Sequence, residues 1–394
     1  MAEEHLSRRA LLRRGGLGLG TVLVAGSGVL GYRAYDQGVL EVGDGAAYAP
    51  WSSWDEQQGV LRLVGAAILA PSPHNAQAWL FRVGSDRIDL YVDRARWTGA
   101  TDPFRREQHV GLGAALENLV LAAEADGYAP TVKLIPDGPD SSHVSRIDLG
   151  RSAPRVSPLY AQIPKRHTNR YAFVAGKDVP AAALASMSKL ADPSTPDARL
   201  VWFTSASQRS HISELFVAAT KALIADPDQS ASDYAWFRQT WNEIQTQRDG
   251  ITVDAAGLSD LIGALGKLLP AQSRKATDDA WLKTTRDHQT TTAAAYGFVA
   301  VRDATANEQR LQGGRLLERV HLWATGNGLA LQHMNQLTER ADRELQLGIA
   351  PRFRDALHAL IPSGWEALSS FRVGYQTHTP RKSPRRSVAM VMVA

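Results

Sequence analysis

The sequence predicts an α+β fold assembled as two similar halves of one chain, on three observations. An apolar helical stretch at Gly113–Ala129 recurs 201 residues later, at Gly314–Ala330, with seven of seventeen positions identical. A helix–loop–strand pattern around Ala70–Phe81 recurs at an offset of 122, around Asp192–Phe203. Alternating strand patterns follow each copy of the helical stretch. Such mixtures settle into sheets covered by helices, and a repeat of this length sets the frame in which every motif is read.

The elements follow in chain order. Residues 1–45 form a leader: Ser7-Arg-Arg-Ala-Leu-Leu-Arg-Arg14, then an uncharged, Gly-rich run of 18 residues from Gly15 to Tyr32. A basic head before a mildly apolar core resembles a twin-arginine export signal. It implies a cell-envelope or periplasmic protein, with the run cleaved or kept as a membrane anchor; a cytoplasmic location is the alternative.

The first half, 46–158, opens with an amphipathic helix near Val60–Leu69. The Pro-rich loop Pro71–Ala78 then leads into a strand. The helix of Gly113–Ala129 is apolar almost all round, as a buried central helix must be, and Gly127 stops it in the left-handed conformation that glycine tolerates. Strands are expected at Thr131–Ile135 and Arg146–Leu149. The Pro-containing stretch Arg151–Pro164 joins the halves.

The second half, 159–394, repeats the plan: a helix at Ala181–Leu190, a strand ending at Phe203, a central helix stopped by Gly328, and strands at Ser370–Tyr375 and Ser387–Val393. The two offsets differ by 79, so an insert at about 204–313 is expected. Its run Leu258–Leu269, closed by Pro270, predicts a short amphipathic helix. Such an insert serves as a lid or as a surface elaboration.

Composition bounds the chemistry. The chain has 394 residues, 44% hydrophobic and 21% charged, which is globular material. Much of the +4 net charge sits in Arg8–Arg14 and Arg381–Arg386, so no nucleic-acid face is expected. The absence of cysteine excludes disulfides, thiolate metal sites and thiol nucleophiles. No metal site is expected.

Two motifs carry the chemistry. Pro71-Ser-Pro-His-Asn-Ala-Gln-Ala-Trp79 offers Ser, Asn and Gln on one loop, the donor–acceptor set a heteroaromatic edge requires. Arg166-His-Thr-Asn-Arg170 offers two guanidiniums and a hydroxyl, a set suited to a phosphate dianion. Together they resemble the two flavin-contacting signatures of the nitroreductase family, in its Acg-like branch. Pro73 and Ala78 stand where that family commonly has Ser and Pro.

The resemblance implies a nitroreductase-like fold and FMN as cofactor. Pro71, Ser72, Asn75 and Gln77 would face the isoalloxazine and ribityl chain, and Arg166, Thr168 and Arg170 the phosphate. A second phosphate clamp would come from Arg385 and Arg386 in Ser383-Pro-Arg-Arg386. The segment His333-Met334-Asn335-Gln336 would lie beside the flavin by its distance from Gly328. His333 and His74 are also readable as ordinary satisfied histidines, the more frequent case. No catalytic side chain is singled out.

In the family the two signatures meet from opposite subunits of a homodimer. Here each half keeps one: Tyr48–Gln58 has no arginine, and Asp197 and Arg199 replace Asn75 and Gln77. A single-chain pseudo-dimer, monomeric and with one composite FMN site, is the expectation. The implied activity is two-electron reduction of a nitro-aromatic, quinone or similar acceptor, with NAD(P)H or a quinol as donor. The alternatives are an FMN-sequestering protein with little turnover and a non-enzymatic membrane-anchored scaffold.

Overall fold

The computed structural model describes residues 26–192 and 196–393, apart from the side chains of 26–30. The basic head Arg8–Arg14, most of the Gly15–Tyr32 run and part of the Asp192–Phe203 repeat lie outside the described residues. A helix at Gly26–Asp36 takes up the end of that run. Among the described residues no helix is long and apolar enough to cross a membrane.

Two four-stranded antiparallel sheets form the α+β frame. In the first, β1 (Trp79–Val83), β2 (Arg87–Val92), β3 (Tyr128–Leu134) and β4 (His143–Arg151) lie in the order β1-β2-β4-β3. The insert contributes a small parallel pair, β6 (Phe237–Arg238) and β7 (Ile251–Thr252). The second sheet holds β5 (Ala198–Phe203), β8 (Ala295–Val301), β9 (Leu329–His333) and β10 (Glu366–Tyr375), in the order β5-β8-β10-β9. Numbered within each half, both orders read first, second, fourth, third. The halves therefore share one topology as well as one sequence pattern.

Each half contributes a 20-residue central helix, Arg106–Ala125 and Asn307–Gly326. Gly127 and Gly328, at φ +81° and +71°, end them as the sequence predicts. The helices cross where the repeat-equivalent glycines meet. A Cβ on Gly113 would stand 2.2 Å from the Leu311 carbonyl oxygen, and one on Gly314 would stand 2.1 Å from that of Val110. Only glycine permits this approach.

Two expectations need correction. The segment Ser387–Val393 is no strand of the second sheet: Val388–Val391 is a helical turn, and Met392 bridges to Phe81 of the first sheet. Val391 packs into the first-half core, so the tail crosses from one half to the other. The insert also ends earlier than 313, since β8 is part of the sheet. Its seven residues are all buried, so this central strand shows no alternation to mark it. The true excursion, 204–294, replaces the short β1–β2 turn at 84–86. β2 and β9 were not foreseen either.

Substituting Gly314 by alanine should destabilise the protein by roughly 2–4 kcal/mol, because the neighbour at the contact is rigid backbone. Gly263→Ala, at a helical glycine with no atom within 4 Å of the added Cβ, should be neutral or slightly stabilising. Denaturant titration of both variants checks the difference. Equal stabilities would mean that the helices separate at little cost.

Candidate functional site

Between the halves lies a cavity of about 440 Å³, within the range of small-molecule pockets. The first-half loop, the 166–170 segment, the end of β9, the tail and the insert all contribute walls. Pro71, Ser72, Asn75, Arg166, Thr168, Arg170, His333, Asn335 and Arg385 all line it. Residues more than 300 positions apart thus meet around one space.

The 71–79 loop is held in a strained form. His74, Asn75 and Gln77 adopt φ of +48°, +57° and +54° without being glycine. Hydrogen bonds from distant segments hold it so. Asn75 Nδ2 donates to the carbonyls of Pro384 (2.9 Å) and Gly250 (3.2 Å), and its Oδ1 accepts from Arg385 (2.6 Å). Gln77 Nε2 donates to the Arg248 carbonyl (2.8 Å), while its Oε1 accepts from the Arg386 backbone N–H (2.8 Å). Gln77 is fully buried and does not line the cavity. It staples the loop to the insert and tail, and so does most of the Asn75 amide.

Two further residues turn away from the cavity. Met334 sits in the second-half core beside Phe203 and Phe298, because the chain end of β9 points it to the covered face of the sheet. Arg386 donates to the Gln77 carbonyl (3.1 Å) and the Met390 carbonyl (2.7 Å), which anchors the tail. Spacing alone gave no means of separating Arg385 from Arg386.

Four guanidiniums line the cavity; that of Arg238 is paired with Asp249 (2.8 Å), and the other three belong to the two arginine motifs. Arg166 is buried against Glu318 (3.2 Å) and donates to the Leu69 carbonyl (2.8 Å). Arg385 stacks over Trp51 at 4.6 Å and donates to the carbonyls of Leu69, Ala70 and Pro384. Arg170 makes one described hydrogen bond, to the Ala255 carbonyl (3.1 Å). Burial pushes all three below the usual arginine range, with Arg170 at about 10. Glu318 opposes that shift for Arg166 and Arg385, and Asp233 opposes it for Arg170. Burial also lifts Glu318 to about 7, against the pull of Arg166. His333 and His167 fall to about 3 through burial and then the nearby arginines, so both are neutral near pH 7.

An acidic group, missed in the sequence, completes the lining: Glu107, Asp233 and Glu339, with His74. His74 Nε2 is paired with Asp233, 159 residues away. Burial disfavours the His74 cation, but Asp233 outweighs it and holds the ring above its ordinary pKa. Burial raises Glu107 to about 7, against Arg106, and raises Glu339 further, with Glu107 and Asp233 adding to it. Acidic residues on otherwise covered helices were the available signal.

The repeat-equivalent place is filled by the protein itself. Glu117, the counterpart of Glu318 at the 201 offset, receives Arg315 (2.8 Å) and Arg319 (2.6 Å). Arg319 also donates to the Leu190 carbonyl (3.3 Å), much as Arg166 does to that of Leu69. These two arginines hold Glu117 well ionised, since their pull exceeds the cost of its burial.

Comparison with known proteins now bears on this arrangement. No family model matches the chain. Over 120 residues, 30% of this chain and 35% of the relative, it is 32% identical to Rv3131 of Mycobacterium tuberculosis, provisionally named an NAD(P)H nitroreductase. Over 86 residues, 22% of this chain and 26% of the relative, it is 35% identical to the acg protein of that organism, provisionally named likewise. The uncharacterized protein MT1398, also from M. tuberculosis, is 26% identical over 301 residues, 75% of this chain and 41% of the relative. The chain thus matches about a third or less of the first relatives' length. Among solved structures, the FMN- and NADPH-dependent nitroreductase NfnB from a Sphingopyxis species aligns at TM-score 0.38 and 16% identity, over 60% of this chain and 98% of the other. A Bacteroides fragilis nitroreductase with bound FMN aligns at 0.36 and 13%, over 61% and 100%.

The buried carboxyl of Glu107 makes stability depend on pH. Its folded pKa lies above its unfolded value, so its contribution is fully present below about pH 4.5 and is lost as pH rises through about 7. The loss is on the order of 3 kcal/mol for the ligand-free protein. Glu107→Gln should remove part of the fall in stability between pH 5 and 7.5, read by denaturant titration at each pH. An unchanged slope would assign the titration to another group.

Proposed function

We propose that this protein is an FMN-dependent oxidoreductase of nitroreductase type, a single-chain pseudo-dimer with one flavin site between its halves. The observation that carries the reading is the convergence of three buried guanidiniums, Arg166, Arg170 and Arg385, on one wall of the cavity, where Glu318 is the carboxylate facing Arg166 and Arg385, and Asp233, already paired with His74, the one facing Arg170. Buried cations in excess at that wall call for an anion. A phosphate monoester matches them; the motif resemblance supports FMN as its carrier, and the partial sequence likeness to proteins named as NAD(P)H nitroreductases supports the reaction class.

The remaining lining suits the rest of such a ligand. Among the described residues, Arg385 Nε, His333 Nε2 and Gln336 Oε1 are buried without a hydrogen-bond partner. Each would gain one from a polar heterocycle or ribityl hydroxyl. Ser72 Oγ accepts from the Gln77 backbone N–H (2.9 Å), which leaves its own proton free to donate. Asn75 and Gln77 act one step back, by fixing the loop. Bound flavin supplies two-electron transfer between a donor and an acceptor that take turns in the cavity. NAD(P)H or a quinol as donor, and a nitro-aromatic or quinone as acceptor, fit that scheme. Glu107, titrating near 7, can hand a proton to a reduced acceptor.

One flavin per chain follows from the filled second place at Glu117. Flavin released by denaturation should approach one equivalent per polypeptide, and the loaded protein should sediment as a single chain. A value near two would overturn the composite-site reading, and a value near zero after reconstitution would overturn the flavin assignment.

Arg170 is the cleanest probe of the phosphate, since its side chain makes fewer described hydrogen bonds than that of Arg166 or Arg385. Arg170→Ala should weaken FMN by about ten- to hundredfold, the value of a charge-assisted bond of about 1.5–3 kcal/mol. Riboflavin, without the phosphate, should bind nearly as before. Equal losses for both ligands would make Arg170 a support of the fold.

A further inference from the structure

The insert helix Asp260–Leu268 is inside out for a protein surrounded by water. Leu261, Ile262, Leu265 and the following Leu269 are 70%, 55%, 51% and 59% exposed. Its one lysine, Lys267, is 5% exposed, ion-paired with Asp254 (2.6 Å) and donating to the Gly38 carbonyl (3.2 Å). Water favours the opposite arrangement, with the ammonium outside and the leucines covered. The outer face also carries no uncompensated charge, since Asp260 at its start is paired with Arg381 (2.7 Å).

Two neighbouring observations say what covers this face. The helix Gly26–Asp36 contacts the helix Asp260–Leu268 and exposes Tyr32 and Tyr35 at 71% and 84%. Tyrosine is favoured at the level of lipid headgroups. That helix also takes in the end of the uncharged, mildly apolar Gly15–Tyr32 run, so the chain joins this run to the helix that contacts Asp260–Leu268. Moreover, Ile262, Leu265 and Leu269 line the cavity while being more than half exposed. They form its mouth.

We infer that the helix Asp260–Leu268, with Tyr32 and Tyr35, lies on a lipid bilayer, and that the cavity opens into that bilayer. A helix seated in this way buries its apolar face at the headgroup–acyl boundary without crossing the membrane. The cavity then receives a membrane-dissolved apolar ligand, and a quinone with a hydrocarbon tail is the class that suits it. This last step rests on the flavin reading above; the seating on lipid does not.

The chain has no cysteine, so Ile262→Cys in the full chain carries a single environment-sensitive fluorophore. On vesicles of phosphatidylcholine and phosphatidylglycerol its emission should shift to the blue, and brominated acyl chains should quench it several-fold. The same label at Leu347→Cys, exposed on the second-half helix Gln336–Leu347, should change little. A label at 262 that stays in water while the protein sediments with vesicles overturns the proposal. So does a blue shift that grows with protein concentration without lipid, which would make a second copy the occupant. For the ligand class, dithionite-reduced, flavin-loaded protein on vesicles should be reoxidised at least tenfold faster by a long-chain quinone in the lipid than by a short-chain soluble analogue at equal total concentration. Equal rates overturn the membrane route. Protein without flavin would sink the proposed function but leave the labelling result standing.

Discussion

The rest of the molecule depends on the contact of Gly113 with Gly314. Because neither residue has a side chain, the central helices cross with backbone against backbone, and the halves are pressed into one body. That approach brings Glu318 to the wall reached by Arg166 and the tail arginine Arg385. It also brings Glu117 to Arg315 and Arg319. A wider crossing would separate the loop of one half from the arginines of the other, and the cavity would lose its walls.

Charge is distributed unevenly about this crossing, and the unevenness gives the site its character. At Glu117 two arginines surround one carboxylate, hydrogen bonds are made within the protein, and nothing is left for a ligand. At Glu318 the cations are partnered less well: burial depresses Arg166 and Arg385 and raises Glu318 itself. Positions equivalent at the 201 offset thus differ: Glu117 lies in an ion cluster closed within the protein, whereas Glu318 lies beside arginines that keep unmet Nε atoms among the described residues. The same logic separates Gln77, whose amide is met by the protein, from His333 and Gln336, which keep unmet atoms among the described residues.

The insert and the tail complete the site from outside the repeat. Arg248 and Gly250 of the insert receive donors from the strained loop, and Pro384 at the tail receives another. These bonds hold three non-glycine residues at positive φ, a conformation that the loop alone would not keep. The insert therefore both shapes the 71–79 loop and walls the cavity. Its apolar helix stands at the mouth, where soluble proteins seldom leave four large aliphatic side chains uncovered.

Much was legible in the residues themselves. Seven identities in seventeen positions revealed the repeated central helix, since a buried helix admits few side chains. Gly127 and Gly328 marked its ends because only glycine enters the left-handed region freely. The arginines and the Pro-Ser loop stood out by their polar side chains, and the structure brings most of them to one cavity. The sequence could not separate cavity-facing from protein-facing members of those motifs, as Arg385 and Arg386 illustrate. Nor could it reveal β8, whose two covered faces erase the alternation of a strand. The His74–Asp233 pair, the filled place at Glu117 and the outward leucines of the insert were decided by tertiary structure. Local sequence specifies backbone preference and side-chain chemistry, but which polar group meets a partner, and which apolar face meets none, depends on chain segments hundreds of residues away.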